Sequence, residues 1–193
     1  MYQIIDKFLD EEEANLIENL LFSSNFPWYY QSETVESSNK IYSKCYISWP
    51  GLRHFFYFND SISSKDTLVV LPIFNEFKKL VNNINLKIIA ANLNMPVISN
   101  ETLHGLPHVD QKSFNPNLTG ITGIYYVNDC DGDTILFKEK FDGNRLLDYN
   151  LDIKTKIQPR KNRFVYWDSR TYHAAPICNT IPRAVIVLNV TVV

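Results

Sequence analysis

The sequence predicts a mainly β protein with bracing helices, built as a barrel or two-sheet jelly roll. Three observations predict it. Strand-like runs crowd the chain from Leu86 onward, turn residues separate them, and no helical pattern alternates with them. A doubly wound parallel sheet needs a helix between successive strands, so the last observation excludes it. At 193 residues, 45% hydrophobic and 13% aromatic, the chain suits a single domain, 1–193, with one continuous core. Within it, 1–85 is expected to supply helices and strands that brace the sheet, and 86–193 the core and its chemistry.

Taken in order, a short apolar opening at Tyr2 to Ile5 leads to Asp10 and the acidic triplet Glu11, Glu12 and Glu13. Ala14, Ile17, Leu20 and Leu21 then recur at helical spacing. Asp10 can cap the helix while Glu13 reaches back in capping-box fashion, and acids suit the positive helix end. A polar connection from Ser32 to Lys40 precedes an aromatic strand, Tyr42 to Trp49, which the turn Pro50-Gly51 ends. Arg53 to Asp66 shows no clean period. Pro72 stands where a second helix can begin, with Ile73, Phe74, Phe77, Leu80 and Val81 as its apolar face. Strands follow at Leu86 to Leu93, Gly120 to Val127, Thr134 to Phe137, Arg163 to Trp167 and Ala184 to Val193. Asp131-Gly132 and Asp142-Gly143-Asn144 imply hairpin-like reversals between them.

A net charge of -2 gives no global field for holding nucleic acid. Lys154, Lys156, Arg160, Lys161 and Arg163 crowd one segment, but Asp148 and Asp152 lie close by, so a solvated face is expected. Cys45, Cys130 and Cys178 are odd in number, far apart and form no CxxC pair, which suggests neither a disulfide framework nor a zinc knuckle and fits a reducing compartment. No signal-like leader or membrane-length apolar run is present, so the expectation is a soluble, cytoplasmic protein.

Of the four histidines, two lie in segments with metal-site character. In Leu106-Pro107-His108-Val109-Asp110, an extended chain sends the side chains at i and i+2 to one face, so His108 and Asp110 can share an ion. An HxD triplet alone is weak evidence. His173 follows the apolar strand Phe164 to Trp167 and a polar turn, and so re-enters the β core; a lone histidine there is more often a hydrogen-bonded core residue. Arg183 opens an otherwise apolar terminal strand. Its bland reading is a structural salt bridge or an outward arginine; its functional reading is a fork for a bound carboxylate. Two histidines and a carboxylate form the facial set of non-haem Fe(II), with positions left open; a zinc hydrolase could use the same atoms but would not demand Arg183. His104, four residues before His108, could pair with it only on a helix that Pro107 disfavours, and His54 has no carboxylate at ligand spacing.

These residues in this order, with Gly123-Ile-Tyr-Tyr-Val-Asn128 and Asp131-Gly-Asp-Thr134 between them, resemble the 2-oxoglutarate/Fe(II) oxygenases of double-stranded β-helix (jelly-roll, cupin-like) fold, in their prolyl-hydroxylase-like branch. The resemblance runs from about Leu86 to Val193. An Ala91-Asn92-Leu93 strand also resembles versions encoded by bacteriophages of aquatic bacteria, which would place the protein in a host cytoplasm. The resemblance implies iron on His108, Asp110 and His173 as the catalytic centre, the distal carboxylate of 2-oxoglutarate on Arg183, a co-substrate contact from Tyr126, and Asn92 lining the site. Tyr126 reads equally well as a packed strand aromatic.

The implied reaction consumes 2-oxoglutarate and O2, with ascorbate as a supporting reductant, and yields succinate, carbon dioxide and a hydroxylated prime substrate. That substrate is expected to be a protein or peptide, such as a peptidyl proline, rather than nucleic acid. Members acting on damaged nucleobases carry a second arginine beyond the one that binds 2-oxoglutarate, and this chain has none after Arg183. Trp28, Tyr29, Tyr30 and Arg170 are candidates for its recognition, but the residues identify neither substrate nor oligomeric state. The competing readings are a non-catalytic jelly roll, such as a binding or phage structural protein, and a zinc hydrolase.

Overall fold

The computed structural model describes residues 2–33, 50–97, 104–110, 119–143, 151–175 and 178–192. Its frame is an antiparallel sheet built on the long C-terminal strand β11 (Arg183–Val192), which pairs β5 (Ile84–Asn94) on one side and β6 (Thr119–Tyr126) on the other. Beyond β6 come β9 (Arg163–Asp168) and β1 (Tyr2–Asp6). Beyond β5 come β3 (Gly51–Phe58) and β2 (Tyr29–Gln31), with the short β4 (Ser61–Ile62) paired to β3. A second sheet has the order β10-β7-β8, from Thr171–Ala174, Thr134–Lys140 and Ile153–Ile157. The protein is therefore a two-sheet jelly roll, as its sequence predicts. Strands from the first 62 residues complete the larger sheet on both sides.

Strand alternation divides the larger sheet's two faces. The outer face buries Ile89, Ala91, Tyr125, Phe164, Ile186 and Leu188 against the helices α1 (Glu11–Leu21) and α2 (Thr67–Leu80). The inner face, with Ile124, Tyr126 and Val185, packs on Leu136 and Ile157 of the smaller sheet. The outer core holds an aromatic stack: Phe8 lies 4.3 Å from Phe164 with rings nearly parallel, and Phe77 meets Phe164 edge-on at 4.9 Å. Gly123 faces this stack at a point where a Cβ would lie 2.6 Å from Phe164 Cζ, so only glycine fits.

Asp10 caps α1 as expected, its Oδ1 accepting from Glu13 N at 2.8 Å, and the helix buries Ala14, Ile17 and Leu21. α2 begins five residues before the predicted Pro72 start. Thr67 anchors it, its hydroxyl hydrogen-bonded to the carbonyls of Phe56 and Ser64, and burial of Val70, Ile73 and Phe77 outweighs the one helical bond lost at Pro72. β3 arises from the stretch without a clean period because its pairing with β5 shifts register between Phe55 and Tyr57, which breaks the alternation. The predicted strand Tyr42 to Trp49 lies outside the described residues.

Two other expectations are corrected. Asp131-Gly132 does not close a hairpin: β6 and β7 belong to different sheets, so the turn is a crossover. β7 and β8 do pair antiparallel, while the turn predicted at Asp142-Gly143-Asn144 lies partly outside the described residues. The basic segment is not a uniform solvated face either. Arg163 is only 9% exposed, its Nε 2.5 Å and its Nη2 2.9 Å from the two carboxylate oxygens of Asp6, and Lys161 bonds Glu18 and Asn15 of α1. These contacts fasten the N-terminal strand and helix to the sheet.

Candidate functional site

The site forms where the 104–110 segment runs beside β10, between the two sheets. His108 and His173 stand opposite each other in an isolated antiparallel bridge, each backbone N–H donating to the other's carbonyl at 2.9 Å. Their rings lie 4.2 Å apart. Asp110, two residues on, turns to the same side: His108 Nε2 is 3.9 Å from its Oδ1, and His173 Nε2 is 3.9 Å from its Oδ2. The i, i+2 geometry expected of an extended HxD segment is thus present, and one ligand atom from each residue falls within a 4.8 Å cluster.

Hydrogen bonds prepare both imidazoles in the same way. Nδ1 of His108 lies 3.1 Å from Leu106 O, and Nδ1 of His173 lies 3.1 Å from Thr171 O. A carbonyl only accepts, so Nδ1 carries the proton and each Nε2 presents a lone pair toward Asp110. Burial, together with the neighbouring His173, pushes His108 down to about 4, which keeps its imidazole neutral. Burial alone would raise Asp110, but His173, His108 and the Thr122 hydroxyl outweigh it and hold the carboxyl below its ordinary value. Thr122 donates to Asp110 Oδ2 at 2.7 Å, and its oxygen lies 3.0 Å from the Ser169 hydroxyl. With its single proton on the carboxylate, Thr122 accepts from Ser169. Two imidazoles held by backbone carbonyls and a carboxylate aimed by Thr122 form a donor set for a divalent ion that leaves coordination positions open.

Arg183 lies on the inner face of β11 and lines the same cleft, only 3% exposed. Its Nη2 donates to Thr134 Oγ1 at 2.7 Å, and its guanidinium carbon sits 5.5 Å from the centre of the Tyr126 ring. Among the described residues it has no acidic partner, and its buried Nε has no hydrogen-bond partner among them either. A buried cation in that condition is suited to an incoming anion. Tyr126 is fully buried and its hydroxyl donates to Thr134 Oγ1 at 2.7 Å, so it supports the Arg183–Thr134 pair from behind rather than lining the cleft. Asn92 does line the cleft, and its Oδ1 accepts from Arg53 Nε at 2.8 Å. The cleft measures about 860 Å³ counting its open mouth.

The remaining candidates are placed elsewhere. His54 is a buried structural residue, its Nδ1 2.8 Å from Pro27 O among Phe26 and Phe56; His104 bonds Gly105 O through Nδ1 and is not in the cluster. Arg170 is held by Asp168 at 2.8 Å, and Trp28 packs on Phe26. Tyr29 and Tyr30 are exposed on β2, beside Gln31 at the cleft. Sequence reasoning missed Thr122, Thr134, Ser169 and Arg53. Thr122 and Thr134 could have been found as polar residues at inward positions of apolar strands; Arg53 could not, because its strand was not legible.

No protein-family model matches the sequence, and no curated protein matches it in sequence. Solved structures do match in fold: the chain has the fold seen in 2-oxoglutarate/Fe(II) oxygenases. Among them is the viral collagen prolyl hydroxylase vCPH of Paramecium Bursaria Chlorella virus-1 in its 2-oxoglutarate complex, with TM-score 0.56 and 16% identity over 100% of this chain and 96% of that one. A Trichoplax adhaerens prolyl hydroxylase in complex with a hypoxia inducible factor oxygen degradation domain peptide fragment matches at TM-score 0.57 and 13% identity, over 98% and 82%. The epimerase SnoN in complex with Fe3+, alpha ketoglutarate and nogalamycin RO matches at TM-score 0.63 and 13% identity, over 99% and 78%. Among the described residues no helix is long and apolar enough to cross a membrane.

Proposed function

We propose that the chain, acting as one catalytic unit over residues 1–193, is an Fe(II)- and 2-oxoglutarate-dependent dioxygenase that hydroxylates a prime substrate while 2-oxoglutarate is decarboxylated to succinate. The observation that carries this reading is the pairing of two sites in one cleft. His108, Asp110 and His173 converge on one point, and Arg183 lies buried nearby with no acidic partner among the described residues. A zinc hydrolase needs only the first. That SnoN is found in complex with Fe3+ and alpha ketoglutarate, and vCPH with 2-oxoglutarate, supports an iron and 2-oxoglutarate reading of this fold.

Bound iron, with 2-oxoglutarate and O2, supplies the oxidising chemistry, and ascorbate keeps the metal ferrous. The chain's own residues prepare the site. The carbonyls of Leu106 and Thr171 hold both histidines in the Nδ1–H tautomer, so that His108 and His173 bind through Nε2. Thr122 aims Asp110. Arg183, steadied by Thr134 and Tyr126, takes the distal carboxylate of 2-oxoglutarate in a charge-assisted fork. Ile124, Val185 and Val187 wall the cleft with apolar surface that restricts water. A peptide, with prolyl hydroxylation as the specific reaction, is the prime substrate that the vCPH and Trichoplax enzymes support.

Purified protein given Fe(II), ascorbate and 2-oxoglutarate should form succinate slowly without prime substrate, and His108→Ala should abolish it. Wild-type protein that neither binds 2-oxoglutarate nor makes succinate would overturn the reading.

A further inference from the structure

Cys130 follows β6 in the crossover to β7, and Cys178 lies between β10 and β11. Forty-eight positions separate them in sequence, yet their Sγ atoms are 3.9 Å apart, both thiols free and buried. The two connections are fastened around them. Asn128 donates to Pro182 O and accepts from Ala184 N, at 2.9 and 3.0 Å, and Asn179 N lies 3.1 Å from both carboxylate oxygens of Asp131. The thiols thus face each other across a contact that neighbouring bonds already hold closed.

The two sulfurs are not equivalent. Cys130 lines a second, surface cleft with Asp131, Gln158, Arg160 and Ile181, and its Sγ accepts from Gly132 N at 3.4 Å. Cys178 is 1% exposed and does not line that cleft. The hydrogen bond from Cys178 brings Cys130 down to about 7, whereas Cys178 is pushed up by the same contact and by burial. Cys130 borders the surface cleft and its thiol is the more readily ionised; Cys178 lies behind it and holds its proton more tightly.

We propose that Cys130 and Cys178 are a reversible thiol–disulfide pair, with Cys130 as the attacking and Cys178 as the resolving sulfur. The oxidant is a low-molecular-weight disulfide. The Cys130 thiolate attacks one of its sulfurs, forming a mixed disulfide and releasing the first small thiolate. The Cys178 sulfur, losing its proton to solvent, then attacks Cys130 Sγ and releases the second. Two protein thiols are oxidised and one small disulfide is reduced to two thiols. The new bond joins the connection that leads to Thr134 with the one that leads to Arg183. Asp131 also stands beside the sulfurs, as in a thiophilic metal site, but both its oxygens already face the Asn179 amide. The inference is independent of the oxygenase reading.

The test is mass spectrometry with peptide mapping of the folded full chain after exposure to glutathione disulfide. Wild type and Cys45→Ser should each lose two hydrogens through a 130–178 link that dithiothreitol reverses. Cys178→Ser should instead retain one glutathione on Cys130, and Cys130→Ser should leave Cys178 unmodified. A wild-type chain that stays fully reduced, links through Cys45, or keeps glutathione on Cys130 unresolved would overturn the proposal. So would one zinc ion retained through dialysis by wild type and lost in Cys130→Ser.

Discussion

Replacing Arg183 with methionine separates a co-substrate fork from a structural arginine, because the two roles predict opposite balances of stability and binding. Among the described residues, the buried guanidinium has no acidic partner, makes one hydrogen bond, to Thr134, and has no partner for Nε. Losing the charged bond costs about 1.5–3 kcal/mol, while removing the unpaired buried donor returns about 1–3 kcal/mol. The metal-free variant should therefore unfold within about 2 kcal/mol of wild type in a urea titration. Methionine keeps the stem volume, so cavity formation adds little. Binding should respond far more. A carboxylate fork on a buried guanidinium contributes about 3–4 kcal/mol, so the Kd for 2-oxoglutarate, measured anaerobically by calorimetry on the Fe(II) protein, should rise about 100- to 1000-fold. A variant destabilised by more than about 4 kcal/mol, with 2-oxoglutarate affinity changed less than threefold, would show that Arg183 is structural and refute the reasoning.

Thr122→Val removes the donor to Asp110 Oδ2 without changing shape and should weaken metal affinity about 10- to 100-fold, read by competition with a chromogenic chelator. Gly123→Ala places a methyl against Phe164, which Phe8 and Phe77 hold in place, and should cost about 1–3 kcal/mol in chemical denaturation. Asp168 is desolvated, yet bonds from Arg170 and Lys140 hold its carboxyl well below the usual range. Its folded pKa lies below its unfolded one, so its stabilisation is complete above about pH 4 and is lost as pH falls through the folded value. Because Lys140 and Arg170 are solvent-exposed in part, the amount is at most about 1 kcal/mol, and Asp168→Asn should remove that portion of the acid dependence of unfolding.

In the C-terminal half β5, β6, β7, β9 and β11 were legible because they are largely apolar, whereas β8, with Lys154 and Lys156, and the four-residue β10 were not. Metal chemistry needs particular atoms, and His108, Asp110 and His173 come together as their order suggests. Local order was legible too, in the Asp10 cap of α1. What the sequence hid depends on partners distant in the chain. The bulge between Phe55 and Tyr57 masked β3 and with it Arg53's inward position. Arg163 reads as one more surface cation until Asp6, 157 positions away, is seen to pair with it. Cys130 and Cys178 show no spacing signature because two crossovers, not a local motif, bring them together.

The central claim is most directly tested by a crystal structure of the anaerobic complex with Fe(II) and 2-oxoglutarate. The account predicts one metal ion on His108, Asp110 and His173, chelated by 2-oxoglutarate whose distal carboxylate rests on Arg183. Metal bound away from these three residues, or 2-oxoglutarate absent from the cleft at saturating concentration, would contradict it.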